Sequence, residues 1–240
     1  MSDPTTAAGN PVWQAILVLE YWPEIGNGTL DTLVMTAASL TFTVLIGLPL
    51  GVLLFLTGWT QRSQRPALAR AQFWCYAVLS LLVNVLRSVP FLILLILLIP
   101  VTRAIVGTSL GVQGSIPPLV IASAPFFARL IENLLREVDR GVLEACRAMG
   151  ATTRQTVLWA LLPETLPGML AAIIVTAVAL VGYSAMSGVI GGGGLGDLAV
   201  RYGYQRFNTP VMLVTVTILV LLVQLIQVFG DRIVARFSHR

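Results

Sequence analysis

Lysine is missing from this chain, and histidine is nearly so. All 15 basic residues among the 240 are arginine, and the single histidine is His239. A standard P-loop nucleotide site needs its lysine and Schiff-base chemistry needs an amine, so both are excluded. One histidine in the tail also argues against a histidine metal site or a catalytic triad. The sequence therefore offers neither an ATPase site of its own nor the residues of a common enzyme site.

Charge is scarce as well, at 11% of the residues, while 56% are hydrophobic. The chain contains several long apolar runs, which are too many to bury in one small core. We therefore expect a polytopic membrane protein. Residues 29–240 are predicted to form an all-α transmembrane domain, and residues 1–28 an extracytoplasmic or interfacial extension. The five expected transmembrane helices cover residues 30–57, 72–101, 116–135, 169–190 and 209–229.

The first two expected spans contain irregular points. Gly47, Pro49 and Gly51 predict a kink in the first span. The second block would be about 45 Å long as a helix, which exceeds the roughly 30 Å of a bilayer core. Arg87-Ser88-Val89-Pro90 lies inside this block, which favours one span with an irregular start; two short hairpin spans are the alternative. Arg87 is either a functional buried charge or an arginine that reaches the cytoplasmic surface.

The arginines are distributed unevenly between the two sides of the membrane. Ten lie on one side, namely Arg62, Arg65, Arg70, Arg136, Arg140, Arg147, Arg154, Arg232, Arg236 and Arg240; three lie on the other, namely Arg103, Arg201 and Arg206. The positive-inside rule then predicts an extracytoplasmic N-terminus and a cytoplasmic C-terminus. Because the arginines mark topology, the net charge of +4 does not indicate nucleic-acid binding.

The longest polar-rich stretch is the loop at residues 139–168. Asp139 is the expected N-cap of a first helix of about ten residues and 15 Å, and Gly150 its expected end. Thr152 and Gln155 fit a capping box for a second helix. Pro163 and Pro167 are expected to end that second helix. The first helix is too short to cross a bilayer and suits docking to another protein.

This loop resembles the coupling loop of ABC-importer permease subunits. The family pattern is Glu-Ala-Ala, three residues, Gly, nine residues, a branched apolar residue, one further residue and Leu-Pro. This sequence carries, at those positions, Glu144, Ala145, Cys146, Gly150, Ala160, Leu162 and Pro163, so that Cys146 replaces the second Ala and Ala160 the branched residue. The resemblance implies that this motif, together with Arg147, couples the chain to an ATPase. The residues alone also allow a plain amphipathic hairpin between two spans.

Further segments resemble the methionine-uptake permeases within that family. They include Val106-Gly107-Thr108-Ser109, residues 147–152, 181–186 and 230–234, and the resemblance covers most of residues 30–240. It implies a type I importer permease fold in the cytoplasmic (inner) membrane, with no catalysis by this chain. The implied partners are a second copy, two cytoplasmic ATP-binding subunits and an extracytoplasmic methionine-binding protein. ATP and Mg²⁺ would bind the ATPase, and no cofactor or metal is expected here. The alternative substrate is another amino acid or an osmolyte, because the coupling motif is shared across substrates.

A glycine-rich and then aromatic loop is expected at residues 191–208. Gly191, Gly193 and Gly196 match the G-x-G-x-x-G pattern of dinucleotide sites. That pattern needs a preceding strand and a βαβ unit, whereas a membrane span precedes it here. A tight extracytoplasmic turn is therefore the favoured interpretation.

The fourth span has two contrasting faces. Ser184, Gly188 and Gly192 form a small-xxx-small ladder, which allows close helix packing in lipid. The roughly opposite face carries Tyr183 and Met186, an aromatic ring with a polar tip and a flexible thioether. These two residues are the predicted lining or gate of a translocation pathway; ordinary membrane packing is the alternative.

Two other function classes fit less well. A secondary transporter would want intramembrane carboxylates as ion sites, and the spans offer only Asp31 and Glu132, both near span ends. A membrane enzyme would need clustered catalytic residues, which the spans do not show. Copurification of a soluble ATPase distinguishes a permease from both.

Overall fold

The structure is a computed structural model that describes residues 20–59 and 66–237, without the side chains of Trp59 and residues 66–69. The N-terminal extension up to residue 19, Arg62, Arg65, His239 and Arg240 lie outside the described residues, so the predictions on them stay predictions.

Helices make up nearly all of the described chain. In order they are α1 Trp22–Trp59, α2 Pro66–Ser88, α3 Phe91–Leu97, α4 Ile99–Val106, α5 Gly111–Glu137, α6 Arg140–Ala148, α7 Thr153–Gln155, α8 Leu162–Glu164, α9 Leu166–Ser187, α10 Gly194–Leu198 and α11 Thr209–Phe237. Two π-helical turns, Thr156–Leu161 and Ala199–Tyr204, and a 3₁₀ turn, Gly188–Ile190, interrupt this series.

Four of these helical segments are long and apolar enough to cross a membrane: Trp22–Gly58, Gly111–Glu137, Leu166–Ile190 and Thr209–Phe237. A fifth candidate is the pair Arg70–Ser88 and Phe91–Leu97, which is bent at the break between them. The break lies at Val89 and Pro90, where the sequence predicted an irregularity. The all-α membrane fold is thus confirmed, with five spans if the bent pair counts as one.

α1 is one helix that includes Pro49, and the kink predicted in it stays a prediction. Gly47 and Gly51 provide space for α5, because a Cβ there would lie 2.9 Å from Phe127 Cδ1 and 2.6 Å from the Ala128 carbonyl oxygen, respectively. One expectation needs correction: the expected spans leave residues 102–115 between them, whereas α4 runs to Val106 and α5 begins at Gly111, so the connection is shorter.

The chain divides into two compact units. The first contains Met1–Ser39, Phe91–Leu119 and Val178–Leu225; the second contains Leu40–Pro90, Val120–Ala177 and Ile226–Arg240. The core of the first unit consists of Ile25, Leu195, Leu198, Tyr202 and Val211. The main core of the second unit consists of Phe55, Phe127, Ile131, Leu135, Leu143, Val157, Leu161, Met169 and Ala172.

The segment 191–208 is mostly helical, so the prediction of a loop there is wrong. Three glycines here have positive φ, namely 82° at Gly191, 78° at Gly193 and 77° at Gly194. α10 begins at the last of them and leads into the π-helical turn Ala199–Tyr204. The Thr32 hydroxyl accepts a hydrogen bond from the Leu195 N–H at 2.9 Å. The G-x-G-x-x-G match is therefore a packed turn, as the sequence favoured.

Candidate functional site

The loop 139–168 begins with the predicted helix cap. Asp139 has non-helical backbone angles, φ −56° and ψ 135°, and its Oδ1 accepts a hydrogen bond from the Gly141 N–H at 2.5 Å. α6 follows from Arg140 to Ala148. A side-chain acceptor at this position satisfies one of the free N–H groups of the first helical turn. The N-cap prediction is confirmed.

The corner after α6 is held by Gly150 and by a capping box. Gly150 has φ 74°, a left-handed conformation that closes the helix. Thr152 Oγ1 accepts from the Gln155 N–H at 3.3 Å, and Gln155 Oε1 accepts from the Thr152 N–H at 2.8 Å. The predicted helix end at Gly150 and the predicted capping box are both present, and they direct the chain from α6 into α7.

The prolines do not end the second helix, contrary to the sequence expectation. Leu162 donates its N–H to the Val157 carbonyl, five residues earlier, so Thr156–Leu161 is π-helical. Pro163 then lies inside the short α8, which is directly continuous with this wider turn. Pro167 lies in the first turn of α9, where a missing N–H costs no helical hydrogen bond. The loop thus leads into the following span with only a brief interruption at Thr165.

α6 has one buried and one exposed side. Leu143 and Cys146 are buried, and Leu143 packs in the core of the second unit. The predicted coupling residues divide accordingly: Glu144, Ala145, Arg147, Gly150 and Pro163 are exposed, Leu162 is half-buried and Cys146 is buried. α6 is therefore anchored by two side chains and presents the motif's carboxylate and guanidinium to the surroundings.

Two large side chains of this loop were not predicted as functional. Met149 is 77% exposed and Trp159 is 80% exposed. A tryptophan in the middle of the longest polar-rich stretch was the available signal, because aromatic residues are enriched in the cores of protein interfaces. They add large apolar side chains to the exposed charged residues Glu144 and Arg147 of the same loop.

The predicted pathway residues lie in the first unit. The Tyr183 ring stacks on Phe91, with centroids 4.6 Å apart and an interplanar angle of 17°. Met186 is 48% exposed and shares an open face of α9 and the following 3₁₀ turn with Val175, Gly182 and Val189. The ladder residues Ser184 and Gly188 are buried, as close packing requires. The ladder residues are thus packed and Met186 is open, whereas Tyr183 is half-buried against Phe91.

Comparison with known proteins decides the family. Residues 65–240, which include the loop, match the family described as the inner membrane component of binding-protein-dependent transport systems. This chain belongs to that family. It is a transport subunit and a multi-pass inner-membrane protein.

Relatives of this inner-membrane component extend the match nearly to full length. One relative is a probable D-methionine transport system permease protein from Pasteurella multocida, which is 46% identical to this chain. The aligned residues cover 91% of this chain and 98% of the relative. Another relative is a methionine import system permease protein from Bacillus subtilis, which is 47% identical to this chain. The aligned residues cover 88% of this chain and 91% of the relative. A solved chain of an inward-facing MetNI methionine ABC transporter matches with a TM-score of 0.83 at 48% identity, covering 90% of this chain and 97% of that one. These likenesses show the type I importer permease fold.

Proposed function

We propose that this chain is the permease subunit of an ATP-binding-cassette importer that carries methionine across the cytoplasmic membrane. Relatives named for methionine transport, at 46% and 47% identity over most of the chain, support this substrate. ATP and Mg²⁺ bind a separate subunit, which is consistent with the missing P-loop lysine. The second candidate substrate is another amino acid or an osmolyte.

The observation that carries the coupling role is the anchored and exposed α6. Leu143 and Cys146 hold it against its own unit, while the motif's carboxylate residue Glu144 is exposed. Charge-assisted hydrogen bonds from such side chains are stronger than neutral ones and give direction to docking. We assign as partners two cytoplasmic ATP-binding subunits, a second copy of the chain and an extracytoplasmic substrate-binding protein.

Reconstitution tests this assignment. The complete transporter in proteoliposomes should take up radiolabelled methionine only with ATP inside and binding protein outside. Glu144→Arg should reduce uptake by about tenfold or more, since reversing a charge at an interface costs several kcal/mol. Glu164→Arg is the matched control, because Glu164 is an exposed carboxylate of the same loop outside the motif. Uptake of an unrelated amino acid in place of methionine contradicts the substrate; normal uptake by Glu144→Arg contradicts the coupling role.

Orientation needs its own measurement. The arginine distribution places the N-terminus outside and the loop 139–168 inside. In a chain with Cys75→Ala and Cys146→Ala, an impermeant thiol reagent applied to intact cells should modify Thr6→Cys and Gln205→Cys but not Thr153→Cys. The reverse labelling pattern contradicts this topology.

The passage assignment rests on the open face of α9. We assign Tyr183 and Met186 to the lining of the translocation pathway, with the Phe91 stack holding the tyrosine. Met186→Ala should change the uptake rate or selectivity while the ATPase subunit still copurifies. Leu213→Ala, at a residue of α11 that is 63% exposed, is the control. Parental transport by Met186→Ala, together with no substrate protection of Met186→Cys, contradicts the assignment.

A further inference from the structure

A buried carboxylate lies near the end of α5, in the second unit. Glu132 is fully buried, yet two arginines of the same helix bind it. Arg129 Nη1 donates to Glu132 Oε2 at 2.5 Å, and Arg136 Nη2 donates to Glu132 Oε1 at 2.6 Å. In the sequence, Arg129 and Glu132 are three residues apart, a spacing that predicts pairing on one helix. Burying a charged carboxylate is costly, and the two guanidinium groups that bind Glu132 offset that cost.

The same group binds a second helix. The Tyr76 hydroxyl donates to Glu132 Oε1 at 3.3 Å, and Arg129 Nη2 donates to Ser80 Oγ and to Asn84 Oδ1, each at 2.9 Å. Tyr76, Ser80 and Asn84 are spaced four residues apart, so they form one stripe on α2. We call these six residues (Tyr76, Ser80, Asn84, Arg129, Glu132 and Arg136) the Glu132 cluster.

The cluster is placed between the coupling loop and the bent span. α5 ends at Glu137, immediately before the Val138-Asp139 step into α6. α2 ends at Ser88, and only Val89 and Pro90 separate it from Phe91, which stacks on Tyr183. One polar cluster therefore ties α5, which precedes the coupling helix, to α2, which precedes Phe91, the stacking neighbour of the assigned pathway residue Tyr183.

Buried ionic groups add little net stability compared with apolar residues, but they can fix one arrangement of two elements. We propose that Glu132 is a positioning residue for transport. By holding Arg129, Glu132 makes α2 follow the movement of α5 and α6 during the ATP cycle. This inference rests on the proposed coupling of α6 to an ATPase. It assigns no substrate contact to Glu132.

The first experiment measures coupling in the complete transporter in proteoliposomes, with its ATPase and binding-protein partners and methionine. Glu132→Gln keeps the side-chain shape and removes the charge. It should leave ATP hydrolysis in place and lower methionine uptake per ATP by roughly tenfold, a usual size for coupling between sites. Glu137→Gln makes the same chemical change at an exposed residue of the same helix and should leave the ratio unchanged.

A second variant separates positioning from folding. Ser80→Ala combined with Asn84→Ala keeps all three charges and removes only two bonds across the helices. It should assemble as the parent does and lower uptake per ATP in the same direction as Glu132→Gln. Parental uptake per ATP in this double variant overturns the proposal, even where Glu132→Gln fails to assemble.

Spin-label distances test the movement without any transported substrate. Labels at the exposed positions Val78 on α2 and Asn133 on α5 should keep one distance in the nucleotide-free complex and after trapping with ATP and vanadate. In the Ser80→Ala and Asn84→Ala variant the distance should broaden or change on trapping. A change in the parent overturns the proposal. Absence of methionine uptake by the parent instead contradicts the proposed substrate, and the label distances still decide this inference.

Discussion

The loop 139–168 and the segment 191–208 both contain glycines with positive φ, but only at the segment does close backbone packing require further glycines. In the loop, a Cβ on Gly150 would meet nothing within 4 Å, but the residue has φ 74°. Gly150 is therefore selected by backbone conformation. In the segment, a Cβ on Gly196 would overlap the backbone of Ala185. A Cβ on Gly188, in the 3₁₀ turn just before the segment, would overlap the backbone of Asp197 inside it. These two glycines are selected by space.

Polar side chains also differ between the two regions. The loop leaves Glu144 and Arg147 exposed on α6. In the segment, the ring of Tyr202 is buried, and the exposed side chains of Arg201 and Arg206 stack on it at 4.9 and 4.6 Å from its centroid. Exposed charge on an anchored helix suits a docking surface, whereas close backbone packing suits a part that must keep its shape. Four predictions sharpen this difference.

The largest effect is expected at Gly188. Gly188→Leu should strongly reduce the amount of folded subunit, because overpacking a well-packed site costs about 1–3 kcal/mol or more and here the opposing atoms are backbone. Thermal unfolding in detergent, followed by size-exclusion chromatography, measures the effect. Gly182→Leu is the matched control on the same helix, since a Cβ there meets nothing within 4 Å. Equal stability of the two variants contradicts selection by space.

At Gly150 the effect should depend on backbone preference and not on size. Gly150→Val places a β-branched residue in a left-handed conformation that costs an ordinary residue about 1–2 kcal/mol. Uptake should be lost while the subunit still inserts. Gly150→Asn should retain most uptake, because asparagine tolerates this conformation. Equal loss in both variants indicates a steric limit and contradicts the argument.

The sequence predicted features of these regions that depend on neighbouring residues along the chain. The Asp139 cap, the Gly150 corner and the Thr152–Gln155 box are local, and all three are confirmed. The ends at Pro163 and Pro167 were wrong, because a π-helical turn before Pro163 lets the chain stay helical. That adjustment is not visible in a proline pattern.

Features that depend on distant residues were missed. The helical content of 191–208 is supported by the hydrogen bond from Leu195 to Thr32, which lie 163 residues apart. The Glu132 cluster likewise needs α2 beside α5, and only the pair within α5 had a sequence signal. The motif predicted both Cys146 and Glu144 as coupling residues and did not distinguish their burial. Cys146 is buried because α6 packs on its unit, whereas Glu144 is exposed.

A smaller effect is expected at the capping box. Thr152→Ala removes the side-chain acceptor for the Gln155 N–H, which should lower stability by about 1 kcal/mol. Thermal unfolding should show a small decrease, with methionine uptake reduced less than in Gly150→Val. Thr153→Ala is the control, because Thr153 is the neighbouring exposed threonine inside the same helix. A decrease of the same size in Thr153→Ala contradicts a specific role for the cap.

The smallest effect concerns the inward-turned tyrosine of the segment 191–208, which lies outside the membrane-spanning helices. A hydrogen bond with Glu24, helped by burial, raises the pKa of Tyr202 above its ordinary value of 10.0, against the lowering effect of Arg201 and Arg206. The folded state therefore favours the protonated phenol. This contribution to stability is fully present below pH 10.0 and is lost as the pH rises through the raised pKa.

Ultraviolet titration of the detergent-solubilised protein measures this shift as the difference between the parent and Tyr202→Phe. The Tyr202 phenol should ionise above pH 10.0 in the parent, and Glu24→Gln should lower its pKa because that variant removes the largest cause of the shift. The titration difference between the parent and Tyr204→Phe is the control, because Tyr204 is 70% exposed. If Glu24→Gln leaves the Tyr202 titration where it was, the phenol is not held by Glu24. The contrast between the two regions would then rest on the glycines alone, because the buried phenol of Tyr202 would no longer be shown to have a partner in its own unit.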